Sequence, residues 1–309
     1  MITSIFKKST PINYSLMGIL VIVFFFLYQF KTLTTTVTAN EMGKKAIVLV
    51  VLFASLFLSN FIVKKNGLTK DNAYTLLFYF LLLCFFPSIW NNFNLVISSF
   101  FILLSMRRLV SLQTLKAPKE KIFDASLWIF VASFFHFWAI LFILLVYISI
   151  IFHVSRDYRN WLIPFVGLFF TTIVFVFYSL LFDKTAIDLY LGNQEIYTQL
   201  DYFKNDFQNI ALSIFSVFIV FFGIPAVFTL TSKPLNLQAS HKKIIFSLAL
   251  GIAIYFISPN KNNDVLIFTF FPLAVMASNF IESSQVKIQQ EIVLSVTILL
   301  SLFCFFSQL

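Results

Sequence analysis

Few residues of this 309-residue sequence could do chemistry, and those few lie between long apolar blocks. Glu41 is the only carboxylate between the first two blocks. A carboxylate at such a position could act as a general base. A lone glutamate in a loop is also commonly just solvated. Glu41 is therefore the candidate catalytic residue, and a solvated side chain is the alternative.

A second candidate is the polar segment 259–264, which combines a cation, a carboxylate and three amides. Lys261 could pair with a phosphate, and Asn263 and Asp264 could bind a phosphate or sugar hydroxyls. Asparagine and proline are also the residues that ordinary turns prefer. The segment is predicted to bind substrate, with a plain turn as the alternative.

His136 lies among aromatic residues, between Trp128 and Trp138. An imidazole in apolar surroundings is costly unless it has a partner or lies near the membrane surface. It could carry a proton or bind a ligand, but as a turn residue it needs neither role. Cys84 and Cys304 stand alone in apolar blocks and give no disulfide or metal-ligand pattern. No metal and no cofactor are predicted.

The composition indicates what must position these residues. Only 11% of the residues are charged and 60% are hydrophobic, whereas soluble domains carry about 25% charged residues. The apolar residues form blocks near the roughly 20 residues that a membrane-spanning helix needs. Helices satisfy their own backbone hydrogen bonds inside a bilayer. The sequence thus predicts an all-α, polytopic transmembrane bundle in one integral membrane domain, residues 1–309. The blocks are 13–30, 46–63, 73–90, 93–112, 125–155, 161–182, 209–230, 244–258, 265–281 and 292–307.

The block 125–155 decides the predicted topology. As one helix it would be about 46 Å long, and a core of about 30 Å would require a tilt of about 50°, beyond the usual range. A hairpin that turns near residues 136–138 places most of the 22 Lys and Arg residues on the cytoplasmic side, as the positive-inside rule requires. The result is about eleven membrane segments with a cytoplasmic N-terminus, two of them short enough to be a re-entrant pair. The six basic residues on the outer side are Lys31, Lys44, Lys45, Lys184, Lys204 and Lys261.

The longest polar segment, 183–208, is predicted on the outer side. Its apolar residues Ile196, Leu200, Phe203 and Phe207 recur at helical spacing. This pattern indicates an amphipathic helix on the outer leaflet. It is either a connector or a lid over a lipid-linked substrate.

Three stretches, "MITSIFKKSTPIN" at 1–13, "RDYRNWLIPF" at 156–165 and "FPLA" at 271–274, resemble an uncharacterised family of polytopic inner-membrane proteins of Flavobacteriia and other Bacteroidota. The short paired spans, the basic stretch before "WLIPFVG" and the outer amphipathic segment are similar to the membrane core of GT-C-type glycosyltransferases. That second resemblance implies polyprenyl-phosphate sugars as substrates. It also implies a base in the first outer loop, where Glu41 stands without the acidic pair that many members carry.

The leading prediction is a multi-pass protein of the bacterial inner membrane that acts on a lipid-linked substrate in envelope biogenesis, as a glycosyltransferase-like protein. One alternative is a non-enzymatic assembly subunit of an envelope complex. Another is a flippase or transporter without ion coupling, because no apolar block carries a central charge. Membrane lipids and envelope membrane proteins are the expected partners. The basic cytoplasmic ends account for the net charge of +9 without nucleic acid.

Overall fold

A computed structural model describes residues 2–32, 39–182, 184–192, 206–259 and 262–309. Within these ranges the regular secondary structure is helical throughout. The α-helices are α1 (Ile2–Phe6), α2 (Pro11–Thr32), α3 (Ala39–Lys65), α4 (Tyr74–Phe85), α5 (Phe93–Val110), α6 (Pro118–Phe135), α7 (Ile143–His153), α8 (Arg159–Leu181), α9 (Ala186–Gly192), α10 (Asp206–Phe228), α11 (Leu235–Ile257), α12 (Ile267–Ser283) and α13 (Lys287–Gln308). Short 3-10 helices cover Pro87–Asn91, Ser111–Thr114, Phe137–Phe142 and Asn263–Leu266.

Eight helical segments in the described ranges are long and apolar enough to cross a membrane, and they contain α2, α3, α5, α8 and α10 to α13. Two shorter apolar helices cover Tyr74–Phe85 and Phe137–His153. The first turns of α6 carry several charged residues, so composition alone does not mark it as a span. The all-helical, multi-pass architecture is confirmed. The number of eleven segments and the cytoplasmic N-terminus stay predictions.

Two helices, α4 and α12, form the centre of the bundle. Every residue of α4 is buried, and so is nearly every residue of α12. The two helices pack against each other, and α3, α5, α10, α11 and α13 surround them. On one flank, α6 packs on α5 and α8 packs on α6. Since α8 and α10 bury few of their residues, they provide apolar surface for lipid.

The ends of α12 also mark the two ends of the bundle. Asp264 lies just before α12 and Glu282 lies in its last turn. We call these the Asp264 end and the Glu282 end. The first is predicted to face outside and the second to face the cytoplasm.

The chain reverses at His136, as the length of 125–155 predicted. Helix α6 ends at Phe135, and His136 is extended, with φ −145° and ψ 105°. The His136 ring contacts Ser258 after the last turn of α11, whereas His153 at the end of α7 contacts Lys243 in the first half of α11. Segment 137–153 therefore returns toward the Glu282 end.

The block 73–90, predicted as one segment, is interrupted at Phe86. Helix α4 stops one residue earlier, and Phe86 adopts φ −130° and ψ 83° before the 3-10 helix begins at Pro87. A proline disfavours the α-helical conformation in the residue before it. The break turns the following polar residues toward the start of α12, where the candidate site lies.

Candidate functional site

Asp264 is buried and holds together the connections at its end of the bundle. Its carboxylate accepts hydrogen bonds from Ser88 Oγ, from Asn92 Nδ2 at 3.0 Å and from Asn262 Nδ2 at 3.1 Å. Ser88 and Asn92 come from the segment after α4, so the carboxylate links that segment to the start of α12. Its neighbours use most of its acceptor capacity. The structure therefore shows a joining role for Asp264, and its predicted role in binding substrate stays a prediction.

Asn263 is also buried, and it points toward a different helix. Its Nδ2 donates to the carbonyl oxygen of Gln208 in the first turn of α10, at 3.0 Å. Its Oδ1 has no hydrogen-bond partner among the residues that the structure describes. Like Asp264, this residue ties chain segments together.

Two further predicted site residues are Lys261 and Glu41. Lys261 lies outside the described residues, so its role stays a prediction. Glu41 is exposed in the first turn of α3 and does not line the cavity that contains His136. Its role as a base also stays a prediction.

His136 lines a cavity of about 280 Å³ at the Asp264 end, which we call the His136 cavity. Its Nε2 lies 3.4 Å from Ser258 Oγ. The polar lining consists of amides, hydroxyls and this imidazole, and the rest of the lining is largely aromatic. The main lining residues are Asn92, Asn94, Ser133, Phe134, Phe135, His136, Phe137, Trp138, Tyr190, Ser258 and Asn262.

Helix α9 reaches this cavity through Tyr190. Its hydroxyl lies 3.3 Å from Ser133 Oγ, and its ring meets Phe134 edge to face. Among the described residues of the predicted outer segment 183–208, Tyr190 is the one that lines the His136 cavity. The apolar residues Ile196, Leu200 and Phe203, which suggested a lid, lie outside the described residues. Phe207 belongs to the first turn of α10.

The chemistry of the His136 cavity suits a neutral, hydroxyl-rich group. Its described lining carries no carboxylate and no ammonium group. Amides and hydroxyls both donate and accept hydrogen bonds, and aromatic rings offer flat apolar faces. Trp138 is one of the lining residues, and its Nε1 is buried without a hydrogen-bond partner in the described part of the chain. The volume of the cavity, about 280 Å³, is close to the lower limit of about 300 Å³ for small-molecule sites.

A buried cation in α11 was missed by the sequence reading. The block 244–258 placed Lys243 in a loop, but α11 begins at Leu235, and Lys243 is fully buried. Its Nζ donates to the carbonyl of Leu109 near the end of α5 and lies 3.1 Å from His153 Nε2. The last carbonyls of a helix lack an intrahelical donor, and a lysine side chain that reaches them can supply the missing hydrogen bond. The apolar block 244–258 carries no charge, as the sequence indicated, but the helix that contains it also holds the buried Lys243 in its first half.

Comparison with known proteins decides the family. The family model of DUF6427, a family of unknown function, matches residues 1–309. The chain belongs to DUF6427. No curated protein and no solved structure matches it. The predicted membership of an uncharacterised family is confirmed.

The described residues of this DUF6427 protein contain no group of three or more His, Cys, Asp or Glu side chains placed to hold a metal ion. Cys84 and Cys304 are free and buried in the core, as the sequence predicted. The amides, hydroxyls and aromatic rings that line the His136 cavity make it a candidate for binding through hydrogen bonds and aromatic contacts.

Proposed function

We propose that this DUF6427 protein is a multi-pass membrane protein that binds the sugar-like head of a lipid-linked molecule in the His136 cavity. The observation that carries the proposal is the lining of this cavity, where amides, hydroxyls and an imidazole alternate with aromatic rings. A lipid-linked molecule fits because the cavity lies at one end of a bundle of membrane-length apolar helices.

The proposed setting is the outer face of a bacterial inner membrane, where lipid-linked sugars serve envelope biogenesis. The distribution of Lys and Arg along the sequence supports this orientation. A polyprenyl-phosphate carrier would need a cation for its phosphate. Lys261 immediately precedes the lining residue Asn262 in the chain. It is therefore the candidate for that contact.

Glycosyl transfer is the finer form of the proposal, with Glu41 as the base. Its support is the resemblance to the GT-C membrane core and the place of Glu41 at the start of α3, at the Asp264 end. A protein that binds the lipid-linked sugar without transferring it would be a flippase. A protein that does neither would be an assembly subunit. One pair of experiments separates these three functions.

The binding experiment uses the protein in phosphatidylcholine nanodiscs, titrated with a short-chain polyprenyl-phosphate hexose. Tryptophan fluorescence reports binding, because Trp138 lines the cavity. Asn94 is exposed at the cavity, so Asn94→Phe should obstruct it and weaken binding about tenfold or more. Lys184 is exposed at the same end but does not line the cavity, so Lys184→Phe should bind like the parent. Equal binding by both variants, or none by the parent, contradicts the proposal.

The transfer experiment is complementation of a deletion strain. Loss of a catalytic base typically lowers the rate by about 10² to 10⁴, so Glu41→Gln should fail to complement while binding normally. Full complementation by Glu41→Gln, together with failure of Asn94→Phe, would leave binding without transfer.

A further inference from the structure

A second cavity, of about 260 Å³, lies at the opposite end of the bundle, between α10, α12 and the residues before α4. We call it the Lys233 cavity. One side is polar and includes Lys70, Lys233 and Asn279. The other side is apolar and includes Phe222 and Phe280. This division into a cationic side and an apolar side is absent from the lining of the His136 cavity.

Neither lysine of this cavity forms an ion pair with a carboxylate among the described residues. Lys233 donates from Nζ to Asn279 Oδ1 at 2.7 Å. Burial lowers the pKa of Lys233, the nearby charge of Lys70 lowers it further, and Glu282 opposes the shift. A bound anion would stabilise both ammonium groups.

Glu282 lines the cavity too, but neutral donors occupy its carboxylate. It accepts from the backbone N–H of Lys70 at 3.0 Å, from Asn72 Nδ2, and from Ser278 Oγ at 3.5 Å. It forms no ion pair with either lysine in the described residues. The two ammonium groups therefore remain available to a ligand.

The apolar side of the cavity continues into surface that lipid would cover. Phe222 and Pro225 of α10 line the cavity. On the same helix, Phe221, Ile224 and Phe228 are exposed. An exposed apolar surface of this kind on a membrane-length helix is where acyl chains lie. A ligand with an anionic head and an apolar tail meets both sides of the cavity.

We propose that the Lys233 cavity binds the phosphate of an anionic phospholipid, with Lys70 and Lys233 as the cations and with the acyl chain along the aromatic side. The leaflet is the one at the Glu282 end, where the sequence concentrates Lys and Arg. Basic pockets between transmembrane helices on that side bind anionic head groups. This site is independent of the His136 cavity, so either proposal can fail alone.

The test measures the apparent melting temperature of the detergent-purified full chain with three additives: dioctanoyl-phosphatidylglycerol, dioctanoyl-phosphatidylcholine and inorganic phosphate. The anionic lipid should raise the melting temperature in a saturable manner, whereas the zwitterionic lipid and phosphate should not at the same concentrations. Equal stabilisation by the two lipids would overturn the anionic site. Equal stabilisation by phosphate would make free phosphate the ligand and overturn the lipid.

Variants locate the site. The double change Lys70→Gln with Lys233→Gln should weaken the phosphatidylglycerol effect at least tenfold. The matched control, Lys116→Gln with Lys287→Gln, removes two exposed lysines at the same end that do not line the cavity, and should keep it within twofold. Lys70→Arg with Lys233→Arg, which preserves both charges, should also keep it. If the glutamine pair responds like the control pair, the lysines are not the site.

Discussion

Asp264 and Glu282 link α12 to α4 in the same way at opposite ends of α12. Each carboxylate accepts hydrogen bonds from neutral groups on the segments that flank α4: Ser88 and Asn92 on one side, and Asn72 with the Lys70 backbone on the other. Hydrogen bonds to an ionised acceptor are stronger than those between neutral groups. The two carboxylates thus fasten α4 to α12 at both ends, with no ion pair in the described contacts.

Replacing Asp264 should show how much this fastening contributes. Asp264→Leu leaves three donors without their acceptor, and each unsatisfied buried group costs about 1–3 kcal/mol. Asp264→Asn should cost less, because the amide keeps one acceptor oxygen for Asn92 and Asn262, and the Ser88 hydroxyl can turn to accept. The apparent melting temperature in detergent should fall in the order parent, Asn, Leu.

Asp71 supplies the control for this series. Its side chain is 81% exposed and pairs with Lys64 at 2.8 Å. An exposed ion pair contributes about 0–1 kcal/mol. Asp71→Leu should therefore change the melting temperature little. A loss as large as that of Asp264→Leu would show that burial is not the cause.

At the scale of helices, close packing between α11 and α12 depends on Gly251. A Cβ atom there would lie 2.7 Å from Thr269 Cγ2 and 3.2 Å from the carbonyl of Phe268. The obstructing atoms include backbone of α12, one of the two central helices of the bundle, so the neighbour has little room to move. Small residues let helix backbones approach closely in membrane proteins.

Gly251→Ala should therefore destabilise the protein by about 1–3 kcal/mol, the usual cost of overpacking. The matched change is Gly223→Ala in α10, where a Cβ would meet only Leu248 at 3.9 Å. That variant should be neutral or slightly more stable, because alanine favours a helix over glycine by about 1 kcal/mol. The apparent melting temperatures of the two variants in detergent test this prediction. Equal melting temperatures would mean that α12 shifts at little cost to accommodate the added Cβ atom.

The sequence predicted helices well where apolar length for the lipid bilayer sets their position. It predicted them less well where contacts with neighbouring helices set their bounds. Apolar length located the blocks, and the excess length of 125–155 located the reversal at His136. The start of α11 was missed because a helix extends beyond its apolar part, which left Lys243 in a supposed loop. Two of the three partners of Asp264, Ser88 and Asn92, lie more than 170 residues away in the chain. No local pattern marks such contacts, so the cavity and its lining came from the fold.

For the whole molecule, the uneven distribution of Lys and Arg between the two ends of the bundle predicts which side of the membrane each loop faces. Ser155 is exposed between α7 and α8, and Lys184 is exposed between α8 and α9. Cys84 and Cys304 are buried, so a polar maleimide should not label them. Lys184→Cys should react in intact cells, whereas Ser155→Cys should react only after permeabilisation.

The reverse labelling pattern would mean that the Glu282 end faces outside and that the predicted orientation of the bundle is inverted. Reaction of both variants in intact cells would mean that α8 does not cross. The buried native cysteines, tested in the unchanged chain, provide the background for both measurements.

The central position of α4 has a consequence for the order of synthesis. Helix α4 has 12 residues, which is about 18 Å at ~1.5 Å per residue, too short to span a core of about 30 Å alone. Its main partner, α12, follows more than 180 residues later. A ribosome adding about 5–20 residues per second needs roughly 10 to 40 s to supply it. For that time α4 must wait beside the translocon or in lipid with its polar flanks Asn72 and Asn92 lacking their carboxylates, so the centre of this protein is among the last parts to assemble.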